Sequence, residues 1–126
     1  MTIRTGTLAR RRTLFDEAAE IIEREYAHPI ELDDVARRLA TSRRQLQRAF
    51  AEVGETSFRT HVAKVRMRRA LDLLREGTLP VRDVANSVGY RQPAQFAKTF
   101  RRHHGAPPSS FRGPGAGDVG GNGSSA

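Results

Sequence analysis

The chain has 126 residues, no cysteine and no tryptophan, and carries 22 lysines and arginines against 14 acids, a formal charge of +8. With 37% hydrophobic and 29% charged residues, it can form one small domain or two very small ones, which argues against a large enzyme fold with a deep cavity. The lack of cysteine excludes a disulfide framework, a thiolate zinc site and a cysteine nucleophile. No apolar run approaches the roughly 18 residues of a membrane span, so a soluble, cytoplasmic protein is expected.

Residues 1–12 carry Arg4, Arg10, Arg11 and Arg12 with no acid and read as a basic flexible arm. Folding is expected between residues 13 and 112. Phe15, Ala18, Ile22 and Tyr26 recur at helical spacing, and this first helix stops at His28-Pro29, because proline disfavours helix in the residue before it. A short second helix covers residues 32–40, with Asp33 and Asp34 suited to the positive end of its dipole. Ser42 can cap a third helix, to about residue 53, that buries Leu46, Ala49 and Phe50. Ser57 can cap a long fourth helix over residues 58–76. Phe58, Val62, Val65 and Leu73 form one of its stripes, and Met67, Leu71 and Leu74 form another. Pro80 opens a fifth short helix that Gly89 ends. Pro93 begins a sixth, buried through Phe96 and Phe100, and a last turn follows from Pro107-Pro108 to Phe111. Residues 113–126 hold six of the eleven glycines and read as a disordered tail. No alternating strand pattern occurs, and the predicted fold is all-α, with about seven helices.

The second and fifth helices superimpose as sequences. Residues 34–40 (Asp-Val-Ala-Arg-Arg-Leu-Ala) match residues 83–89 (Asp-Val-Ala-Asn-Ser-Val-Gly) at an offset of 49. The helices that follow match at an offset of 50, Leu46 on Phe96, Arg48 on Lys98 and Phe50 on Phe100. Small residues inside the first helix of each pair (Ala36, Ala85) and at its end (Ala40, Gly89) let two backbones approach at a steep angle. That is the requirement of a helix-turn-helix, present twice: residues 32–53 and 80–104, joined by the helix over 58–76. Charge is segregated to match. Residues 14–26 carry five acids against one arginine, the sixth helix carries Lys98, Arg101 and Arg102 with no acid, and the third carries three arginines against Glu52. Twenty of the 22 basic residues are arginine, whose planar fork suits phosphates and guanine edges. The residues thus point to a paired nucleic-acid reader.

At this level the chain resembles the AraC/XylS family of bacterial transcription regulators. The resemblance rests on Ser42-x-x-x-Leu46-x-Arg48-x-Phe50, Arg66-x-x-x-Ala70-x-x-Leu73-Leu74 and Val84-Ala85-x-x-Val88-Gly89-Tyr90. It continues through Phe96-x-Lys98-x-Phe100, Gly105, Pro108 and Phe111-Arg112. Phe58, His61 and Lys98 depart from the family's usual proline, tyrosine and arginine. The resemblance implies a transcription regulator binding specific double-stranded DNA. It matches Arg44, Gln47 and Arg48 to base-reading positions, with Ala94, Gln95, Ala97 and Lys98 as their partners in the second unit. Ser42, Arg43, Arg91, Arg101 and Arg102 are then expected at phosphates. A linker of 19 residues spans about 28 Å, close to the roughly 34 Å between successive major grooves on one side of DNA, so a monomer could reach both. The resemblance to stand-alone family members favours activation over repression, with RNA polymerase as a second partner, a nucleoid location and no cofactor. The alternative is the DNA-binding half of a larger sensor-regulator.

Other chemistries find less support. His28, His61, His103 and His104 have no cysteine or nearby carboxylate to complete a metal site, and no Ser/His/Asp constellation appears, so neither metal binding nor enzyme activity is expected. An RNA-binding protein would need an aromatic platform, and a membrane-surface protein a basic helix with a free apolar face. The aromatic residues here sit at core spacing, and the basic helices spend their apolar faces on the core.

Overall fold

A computed structural model describes the chain from residue 2 to residue 113, with side chains from residue 6. In order come α1 (Thr2–Glu25), α2 (Leu32–Arg38), α3 (Arg43–Glu52), α4 (Phe58–Glu76), α5 (Val81–Ser87), α6 (Pro93–His104) and a 3₁₀ helix (Pro108–Phe111), with no strand among the described residues. They form two compact units that divide between Val62 and Ala63, inside α4. The expected glycine-rich tail lies, from residue 114 onward, outside the described residues.

The first unit is built around Phe50. Leu14, Ala18, Ile21 and Ile22 of α1, Val35 and Ala36 of α2, and Leu46, Ala49 and Phe50 of α3 are buried together with Phe58 and Val62 at the start of α4. The Phe50 ring meets Phe15, Phe58 and His61 edge-on, with centroids at 5.1, 5.6 and 5.6 Å. Gly54 is required beside this cluster, since a Cβ there would collide with the Phe15 ring. Ser42 caps α3 by accepting the Gln45 N–H at 3.0 Å, and Ser57 caps α4 by accepting the Thr60 N–H at 3.1 Å.

Residues 2–12 are not a flexible arm but the first turns of α1. No proline interrupts the stretch, and Arg, Leu and Ala are good helix formers. Thr13, where the folded part was expected to begin, lies inside this helix and donates its hydroxyl back to the Ala9 carbonyl at 3.1 Å.

The second unit repeats the plan with different fillings. Val65, Met67, Ala70 and Leu74 of α4 are buried with Val84, Ala85 and Val88, and with Phe96, Thr99 and Phe100 of α6. Phe100 packs against Phe96, His104 and Phe111 at 5.7, 4.5 and 5.5 Å. His104 also turns Nε2 toward the Met67 carbonyl at 3.2 Å, a structural use for a histidine considered above as a ligand. Gly105, at φ 81°, closes α6. The Gly113 N–H donates to the Leu74 carbonyl at 2.9 Å, and a Cβ at Gly113 would strike the Arg75 backbone, so the fold reaches one residue past the expected boundary.

The two repeats share one turn. Thr41 N–H donates to Ala36 O and Tyr90 N–H to Ala85 O, each at 2.9 Å; Ala40 N–H reaches Arg37 O and Gly89 N–H reaches Asn86 O, each at 3.1 Å. This pair of bonds ends a helix through one left-handed residue. That residue is Ala40 at φ 55° in the first unit and Gly89 at φ 99° in the second. A Cβ is strained in this conformation. Ala40→Gly is therefore expected to stabilise the protein by about 0.5–1 kcal/mol and Gly89→Ala to destabilise it by about 1–2 kcal/mol. Urea unfolding of both variants checks this, and the two shifts must have opposite sign.

Candidate nucleic-acid interface

Because α3 buries Leu46, Ala49 and Phe50, the helical period turns Arg44, Gln47, Arg48 and Ala51 to the opposite side, and all four are exposed. The three expected readers therefore share one stripe. Ala51, which sequence reasoning left out, completes it at the spacing i, i+3, i+4, i+7. Arg44 and Arg48 have no carboxylate partner among the described residues, so their guanidinium groups are available to an incoming anion.

On α6 the corresponding stripe is Ala94, Ala97, Lys98 and Arg101, opposite the buried Phe96, Thr99 and Phe100. Ala97 is half-buried and the other three are exposed. Gln95 is also exposed but sits about 100° round from Ala94, beside Arg102, so it flanks the stripe instead of lying on it. Arg91 is exposed in the turn before α6. The α6 surface is thus more cationic toward its C-terminal end, while the α3 stripe places two arginines and a glutamine, Arg44, Arg48 and Gln47, within the first two turns of its helix. His103, next to Arg102, has its pKa pushed down, first by burial and then by the positive charges of His104, Arg102 and Lys64. Because its folded pKa is depressed, the stability it contributes is present above the ordinary histidine value and is lost as pH falls from there through the lowered folded value.

Two of the expected phosphate contacts are already engaged. Ser42 Oγ caps α3, which leaves its O–H free to donate. Arg43 Nη1 donates to Asp33 Oδ1 at 2.7 Å. This is one of three ion pairs that bridge the helices of the first unit two by two: Arg43–Asp33 ties α3 to α2, Arg38–Glu25 ties α2 to α1, and Arg11–Glu52 ties α1 to α3. Arg38 donates Nη1 to Glu25 Oε1 at 2.8 Å and Nη2 to Oε2 at 2.7 Å. This pairing lowers the Glu25 pKa and removes Glu25 from the acidic surface of α1, which leaves Asp16, Glu17 and Glu20 as its exposed acids.

A short helix, a left-handed turn and a second helix with an exposed cationic stripe, present twice, define a helix-turn-helix DNA-binding protein. A family model described as a helix-turn-helix domain matches residues 35–113. The Msm operon regulatory protein of Streptococcus mutans is 31% identical over 97 residues, covering 77% of this chain and 35% of that protein. Among solved structures, an AraC-type transcriptional regulator from Chromobacterium violaceum superimposes with a TM-score of 0.77 at 27% identity, covering 82% of this chain and 93% of that one. The C-terminal domain of the response regulator AraT from Geobacillus stearothermophilus does so with a TM-score of 0.75 at 28% identity, covering 79% and 83%. The chain belongs to the AraC-type helix-turn-helix family. It spans about a third or less of the length of the curated relatives it matches first.

Proposed function

We propose that this protein regulates transcription by binding a specific sequence in double-stranded DNA as a monomer, reading two adjacent major-groove segments with α3 and α6. The observation that carries the reading is the duplicated turn, which in each unit follows a short helix anchored by two buried residues with a helix whose outer stripe bears cations that have no carboxylate partner among the described residues. Arginine suits guanine, glutamine suits adenine, and alanine offers only room or contact with a thymine methyl. Arg44, Gln47 and Arg48 therefore carry more of the specificity than Ala94, Ala97 and Lys98, with Gln95 at the edge of its stripe. Arg91, Arg101, Arg102, the Ser42 hydroxyl and the remaining nitrogens of Arg43 serve the phosphates.

Selection from a random duplex pool, followed by sedimentation of the complex, tests this. A two-part site bound one to one is expected. A site bound only by two copies would overturn monomeric reading, and equal binding of single strands or anionic vesicles would overturn duplex recognition.

Activation is favoured over repression, with RNA polymerase meeting the exposed acids of α1, since such a surface repels DNA and suits a basic partner. Replacing Asp16, Glu17 and Glu20 together with Asn, Gln and Gln is expected to leave DNA affinity unchanged and to lower promoter output severalfold. Unchanged output would remove α1 from that role.

A further inference from the structure

Arg48 and Glu52 stand four residues apart on α3, the spacing at which a helix brings opposite charges together. Glu52 is the only acid on this helix, so from the sequence alone it is the natural partner of the arginine with the strongest claim to a base contact. The structure pairs it elsewhere. Arg11 of α1 donates Nη1 to Glu52 Oε1 across 41 positions of sequence. The two ends differ in freedom, the Arg11 side chain being 13% exposed and that of Glu52 43%. Arg11 is thus the fixed member of the pair and Glu52 the movable one. Glu52 also ends α3, where a carboxylate opposes the negative end of the helix dipole, and a cation from another helix offsets that cost. In the second unit no such guard is called for, because Arg102 occupies the position that corresponds to Glu52.

We infer that Arg11 is a positioning residue for DNA reading: by holding Glu52 against α1 it keeps Arg48 unpaired and available to the duplex. This rests on Arg48 touching DNA. Without Arg11, Glu52 turns to Arg48, which must then give up an ion pair before it can bind, and an uncompensated negative charge faces the phosphates.

The test is a set of variants measured against the preferred duplex and against single-base variants of it. Arg11→Met keeps the buried stem and removes the charge, and thermal unfolding confirms that each variant is folded. Arg11→Met is expected to weaken binding about twofold at low salt, with the loss shrinking as salt screens the exposed charges. The loss should concentrate at the base pairs whose preference Arg48→Ala relaxes. Adding Glu52→Gln to Arg11→Met should restore affinity, whereas a merely structural role for Arg11 would leave the double variant as weak as the single one. Should Arg11→Met unfold, Arg11→Lys, which retains the charge, must bind as the parent does while Arg11→Gln does not. Unchanged affinity in Arg11→Met, or no rescue by Glu52→Gln, overturns the inference. If Arg48→Ala itself leaves every duplex equally well bound, the DNA-contact reading of Arg48 is what has failed.

Discussion

Arg48→Ala should weaken binding to the preferred duplex by about 1–3 kcal/mol and relax the preference at one or two base pairs. Arg48 lies on the exposed stripe of α3 and has no carboxylate partner among the described residues, so truncating it removes the proposed base contact without disturbing the core. Its effect on folding stability should stay within about 0.5 kcal/mol, as for other surface substitutions. Arg101→Ala is the control. At a phosphate contact it should weaken all sequences alike and reduce the dependence of log affinity on log salt by about one unit. Competition binding with single-base variants of the site separates the two patterns. If Arg48→Ala weakened every sequence equally, Arg48 would be a phosphate contact and not a reader.

Phe50→Ala has the largest expected effect on the fold, a loss of about 3–5 kcal/mol. The ring is fully buried and meets Phe15, Phe58 and His61 edge-on, so truncation removes apolar area, opens a cavity among three elements and forfeits three ring contacts. A domain of this size has about 5–15 kcal/mol of stability in all, so the variant sits near its unfolding threshold. Phe50→Leu should cost distinctly less, because it refills most of the volume. Urea unfolding of the three proteins checks the order, and a loss below about 1 kcal/mol for Phe50→Ala would show that this cluster does not hold the unit together.

These two expectations differ in how far the sequence alone supports them. That Phe50 is core and Arg48 is surface follows from helical pitch, because residues 46, 49 and 50 fall on one side and residues 44, 47, 48 and 51 on the other. The duplication was equally legible: the small residues at positions 40 and 89, matched at a constant offset, are the two left-handed residues of the turns. Ser42, Ser57 and Pro93 announced helix starts because capping and first-turn geometry depend only on the residues next to them. The start of α1 was not legible, because apolar periodicity marks only the part of a helix that packs on a core: it begins near Phe15, while the helix runs back to Thr2 through a basic stretch without that pattern.

What the tertiary structure decided is which charges meet. Glu52 had a neighbour of opposite sign four residues away, yet it bonds to Arg11. Arg43 has a position that suits a phosphate, yet it holds Asp33, and Glu25 is one of the acids of α1, yet Arg38 neutralises it in part. Burial patterns are periodic, so one chain segment reveals them to a reader of sequence. An exposed ion pair contributes little, about 1 kcal/mol or less, so it forms wherever packing of the apolar faces happens to bring a long side chain within reach. The order of the hydrophobic residues therefore determined the helices and their buried sides, while the choice of free and engaged arginines on α3 was left to how α1, α2 and α3 dock.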